Sequence, residues 1–109
     1  MDTHLDLRRE ARGHVIMPGA IRHNVTCRAE VAVTDLSAHG CRIISSGQDL
    51  VLGSALFVRL DQLAPLRATV RWDEAGIIGL EFDRPLYIPV LDHLLIRWPA
   101  QLTPELAAI

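Results

Sequence analysis

Alternation with a period of two runs through the middle of the chain and leaves few folds open. Cys27, Ala29, Val31 and Val33 interleave with Arg28, Glu30, Ala32 and Thr34, giving the apolar and polar faces of a half-buried strand. Cys41-Arg42-Ile43-Ile44 continues as a second such run, residues 54–60 as a third and 66–72 as a fourth, and Ile77-Ile78-Gly79-Leu80-Glu81-Phe82 forms a fifth. Upstream, residues 15–23 read as another strand, bent or bulged at Pro18-Gly19. Turn chemistry separates the runs at 35–40, 45–49 and 73–76, where Gly, Asp and Ser favour reversal of the chain. Gly40 is expected to take a positive φ, and Gly79 to mark a bulge or a close backbone approach. About six short strands at regular spacing predict a small antiparallel barrel or sandwich.

The period changes after Pro85. Ile88, Leu91, Leu94, Leu95 and Trp98 recur at helical spacing, which predicts an amphipathic helix over 89–98 laid on the barrel. Pro89 suits its first turn and Pro99 ends it. Thr103-Pro104-Glu105 has the form of a further helix start. At 109 residues, half of them apolar and 22% charged, the chain is long enough for one core and one domain.

Composition also excludes several functions. The net charge of −2 argues against a protein that coats nucleic acid by bulk charge. At least three of the five aromatic residues occupy apolar-face positions and are assigned to the core, which leaves too few for stacking on exposed bases. No apolar run approaches the roughly 20 residues needed to span a bilayer. The opening Met1-Asp2-Thr3-His4 lacks the basic-then-apolar order of a signal peptide, so a cytoplasmic location is expected. Cys27 and Cys41 are expected to be two thiols with no disulfide between them. The histidines at 4, 14, 23, 39 and 93 are too scattered for a zinc site, so no metal and no cofactor are expected. Asp35, Ser37 and His39 invite a triad reading, but i and i+2 on a strand stand about 6.6 Å apart. A nucleophile and its base must meet within about 3.2 Å. No enzyme is expected.

Two segments remain. All 11 cations are arginine, and residues 8–28 hold five of them against Glu10 alone, which suggests a local anion site. Arg8-Arg9-Glu10-Ala11-Arg12 precedes the first strand, and Asp35-Leu36-Ser37-Ala38-His39-Gly40 follows the second. Arginine donates bidentately to guanine O6 and N7 and pairs with phosphate. A carboxylate accepts from the guanine N1–H and N2–H₂, and a glycine turn lets backbone approach a ligand closely. The set suits a guanine nucleotide that carries phosphates.

In this order the segments resemble the signatures of the PilZ domain family, RxxxR and [D/N]xSxxG. They stand here as Arg8-x-x-x-Arg12 and Asp35-x-Ser37-x-x-Gly40, separated by 22 residues. The resemblance covers nearly the whole chain, including the Val70-Arg71-Trp72 and Gly79-Leu80-Glu81-Phe82 segments and the closing helix. It implies an all-β fold with a C-terminal helix, a six-stranded antiparallel PilZ-type β-barrel that binds cyclic di-GMP. By that resemblance Arg8, Arg9 and Arg12 grip guanine and phosphate, Asp35 and Ser37 read the opposite edge, and Gly40 shapes the turn. Arg71 and Trp72 are secondary candidates. Leu7 stands where an arginine favours a stacked ligand pair in the family, which implies one ligand per chain.

The expected organisation is a flexible arm over 1–13 carrying the arginines, a barrel with its helix over 14–98, and a tail over 99–109. A stand-alone domain of this kind is expected to act by ordering its arm on the ligand and presenting a new face to a protein partner. The alternative is a PilZ-fold protein–protein adaptor that binds no nucleotide.

Overall fold

A computed structural model describes residues 12–23, 27–44 and 50–100. Six strands follow one another: β1 (Arg12–Arg22), β2 (Arg28–Ser37), β3 (Gly40–Ile44), β4 (Ala55–Leu60), β5 (Leu66–Glu74) and β6 (Ile77–Phe82). They close an antiparallel barrel in the order β1-β2-β3-β6-β5-β4, which leaves no long unpaired edge for another chain to extend. The inward positions are apolar: Val33, Ile43, Val58, Leu60, Ala68 and Val70 have no accessible surface.

The fold agrees with the sequence expectation, while several local details differ. β1 begins at Arg12, so Arg12 and Gly13 belong to the barrel and not to an arm; residues 1–11 lie outside the described residues. Its bulge falls between His14 and Met17, where Val15 and Ile16 oppose Thr34 alone, and not at Pro18-Gly19. The extra residue meets the chain returning from the helix. Val15 bridges Pro99, Ile16 donates its N–H to the Trp98 carbonyl at 3.2 Å, and Ala100 donates to the His14 carbonyl at 3.2 Å. The stretch read as a turn over 35–40 is narrower, because β2 continues through Ser37. The β5–β6 hairpin turns on two residues, Ala75 (φ 54°) and Gly76 (φ 84°), and positive φ at both centres matches the twist of the flanking strands.

The aromatic residues also depart from expectation. Phe82 is buried, but Phe57, Trp72 and Tyr87 are exposed, so the core is built from branched aliphatics instead. The largest fully buried side chains are mid-sized Leu, Ile, Val and Met, which interdigitate at close packing across the barrel.

Helix α1 (Ile88–Arg97) packs against β1 and β2. Pro89 sits in its first turn, Arg97 in its last, where a cation complements the helix dipole. The Trp98 N–H closes the end on the Leu94 carbonyl at 2.9 Å. Leu91 and Leu94 are fully buried and Ile96 is 80% exposed. Truncating Leu94 to alanine leaves a cavity and should cost about 2–5 kcal/mol. Ile96→Ala should change stability by no more than about 0.5 kcal/mol. Urea unfolding of the two variants, followed by circular dichroism, checks the contrast.

Candidate functional site

A strand that keeps strict alternation shows every second side chain to solvent. Two of the barrel's bulges break that phase and build a site. In β2, Val33 pairs with Ile43 and Asp35 with Arg42, so Thr34 is extra. Val31 and Val33 point inward, but beyond Thr34 it is Leu36 that is buried. Asp35 and Ser37 are thereby turned outward. In β5, Val70 pairs with Leu80 and Trp72 with Gly79, so Arg71 is extra. Val70 is buried while Arg71 and Trp72 are both exposed. A residue inserted in this way sets two neighbouring side chains on one face.

The four strands β2, β3, β6 and β5 then share one outer groove of about 750 Å³, a volume typical of small-molecule sites. Asp35, Ser37, Gly40, Arg42, Arg71, Trp72 and Glu81 line it, and Leu86 and Ile88 form one wall. Of the residues singled out from sequence, Asp35, Ser37, Gly40, Arg71 and Trp72 are therefore brought together. Arg12 stands directly across the ladder from Ser37, and His14 across from Asp35, so the β1–β2 register joins the start of the chain to the second motif. Arg8 and Arg9 lie outside the described residues.

The turn between β2 and β3 is held from three sides. The Ser37 Oγ accepts the Gly40 N–H at 3.2 Å and the His39 N–H at 3.3 Å, and the hydroxyl donates to the Gly40 carbonyl at 3.3 Å. Phe82 donates its N–H to the His39 carbonyl at 2.8 Å, and Leu86 to the Ala38 carbonyl at 2.7 Å. Gly40 is not at positive φ; only Gly53 and Gly76 are, among the described glycines. Its lack of a side chain serves a close approach instead, since a Cβ there would collide with the Leu80 carbonyl oxygen on β6. Gly79 has the same role for a different neighbour. A Cβ at that position would enter the indole of Trp72, so the ring lies flat over β6, supported by backbone.

Charge in the groove is paired. Asp35, only 13% exposed, receives Arg42 Nη1 on Oδ2 at 3.2 Å and faces His14 Nδ1 from Oδ1 at 2.6 Å. The Arg42 guanidinium also stands 5.4 Å from the centre of the Trp72 ring, within cation–π range. Asp35, Arg42 and Trp72 thus form a continuous run from β2 to β5. Arg71 Nε pairs with Glu81 Oε1. Sequence reasoning missed Arg42, Glu81 and His14. Arg42 stands two residues beyond Gly40 and so shares its strand face, a signal that period two alone could have supplied. Glu81 and His14 gave no such signal, because their places depend on register across strands.

Cys27 is exposed and Cys41 buried, with no disulfide joining them. Among the described residues no group of His, Cys, Asp or Glu is placed to hold a metal ion, and no helix is long and apolar enough to cross a membrane.

A closed six-stranded antiparallel barrel with a C-terminal helix and a polar groove over its motif turn defines a small β-barrel domain with a candidate ligand groove on its outer face. The PilZ domain family model matches residues 6–97, and the chain belongs to that family, a cyclic di-GMP receptor family. Among curated proteins the chain finds no match.

Burial pushes the Cys41 thiol from 9.0 up to about 12. A group whose folded pKa lies above its unfolded one contributes stability that is complete below the unfolded value and lost as pH rises towards the folded one. The difference in urea midpoint between the parent and Cys41→Ala should therefore hold steady below pH 9 and move against the parent as pH climbs towards 12.

Proposed function

We propose that the protein binds cyclic di-GMP in the β2–β3–β6–β5 groove and signals by presenting the resulting surface to a protein partner in the cytoplasm. The observation that carries this reading is the convergence of Asp35, Ser37 and Gly40 with Arg71 and Trp72 in one groove, with Arg12 across the ladder from Ser37. Guanine offers N1–H and N2–H₂ on one edge and O6 and N7 acceptors on the other, and two phosphodiesters join the ligand's guanosines. Asp35 accepts from the first edge, and Ser37 lies beside it on the same strand. Arginine forks suit both the second edge and the phosphates, and we assign that role to Arg8, Arg9 and Arg12. Trp72, held flat by Gly79, offers an apolar platform on which a purine can stack. Neither a metal nor another cofactor enters the scheme.

A dianionic ligand draws the arginines preceding β1 onto the groove, which converts binding into a changed protein surface. A chain beginning at Gly13 should consequently lose most of its affinity. Isothermal titration with cyclic di-GMP tests the reading directly. Arg8→Ala and Arg12→Ala should each weaken binding by about 1–3 kcal/mol, roughly five- to 150-fold. Arg67→Ala, outside the groove, should leave it nearly unchanged, and linear GMP should compete poorly. Equal losses at all three arginines would overturn the site assignment, and equal affinity for GMP would point to a generic phosphate site. If no binding occurs, the adaptor reading stands in its place.

A further inference from the structure

Glu81 lines a groove assigned to a dianion. Its strand β6 lies between β3 and β5, and the ladder sets Glu81 against Gly40 on one side and Thr69 on the other. Gly40 has no side chain to shield it, so the carboxylate faces the groove beside the motif turn. A lone carboxylate there would repel phosphate. It is instead neutralised by Arg71, which the β5 bulge swings outward into its reach.

We propose that Glu81 sets the affinity of this groove as a positioning residue, by holding the Arg71 guanidinium away from an anionic ligand until the ligand's phosphate takes its place. The proposal rests on the receptor reading above and deepens it. Both partners are about half exposed, at 57% and 51%, and exposed ion pairs are weak, so a phosphate can displace the carboxylate readily. The pair therefore tempers affinity without closing the site.

The barrel supplies its own control. Arg67 on β5 and Asp83, the residue after β6, form a second ion pair, Nε to Oδ2 at 3.4 Å, and neither residue lines the groove. Glu81→Gln and Asp83→Asn each remove one negative charge from an exposed, ion-paired position.

Isothermal titration of the full chain with cyclic di-GMP, with thermal melts to verify folding, decides the matter. Glu81→Gln should tighten binding roughly two- to five-fold at low salt, and the gain should fade as salt is raised to about 0.5 M. Arg71→Ala should weaken binding, and adding Glu81→Gln to it should bring a smaller gain than in the parent, because only the relief of the carboxylate's own repulsion remains once the ion pair is gone. Asp83→Asn should leave affinity unchanged. A parent that binds while Glu81→Gln brings no gain overturns this proposal and leaves the receptor reading intact. An equal gain with Arg71 absent, a gain insensitive to salt, or a matching gain from Asp83→Asn overturns it likewise. Failure of the parent and every variant to bind overturns the receptor reading and this proposal together.

Discussion

Inserting one residue in a β-strand reverses which face its later side chains occupy, and the site on this barrel depends on that reversal occurring twice. Without the extra Thr34, Asp35 would continue the inward series of Val31 and Val33 and place a carboxylate in an aliphatic core. Without the extra Arg71, Trp72 would follow Ala68 and Val70 inward. With both insertions the core stays apolar and the outer face acquires an acid, a cation and an aromatic ring within one groove. Burying an unpaired carboxylate costs several kcal/mol, so packing and site construction favour the same two irregularities.

Two glycines complete the arrangement by removing bulk from β3 and β6. Gly40 lets the motif turn close on the Leu80 carbonyl, and Gly79 lets the Trp72 indole lie on backbone. Hydrogen bonds from Phe82 and Leu86 then fasten the turn to the chain leading into α1. The groove is consequently floored by ladder and not by mobile loop. Its charges are mutually satisfied: Asp35 with Arg42 and His14, Arg71 with Glu81. Under the proposed reading, a ligand has to exchange one set of ion pairs for another, which favours selectivity over raw attraction.

Much of the architecture was legible in the sequence because alternation, turn chemistry and a change of period are local. The β6 run was placed at its full length, the helix within one residue at each end, and the Ala75-Gly76 turn lay inside the expected loop. The errors share a cause. Backbone chemistry points to a β1 bulge at Pro18-Gly19, but it lies at Val15-Ile16, where the chain after α1 must be met. Turn chemistry suggests a positive φ at Gly40, while its reason is a neighbour on a strand some 40 residues later. Apolar-face positions predict aromatic residues in the core, which instead holds mainly aliphatics. Each error concerns contacts between segments distant in sequence.

The residue pattern alone determined the class of fold, the two arginine- and aspartate-bearing segments, and hence the family to which the chain belongs. Those properties are written in short spacings that any reader of the chain can measure. Only the tertiary structure decided that Arg12 stands opposite Ser37, that Trp72 lies outside the barrel on Gly79, and that Glu81 and His14 join the site. Register and bulges fix these neighbours, and both arise from how six strands close around one core, a constraint that acts between segments and leaves no mark on any one of them.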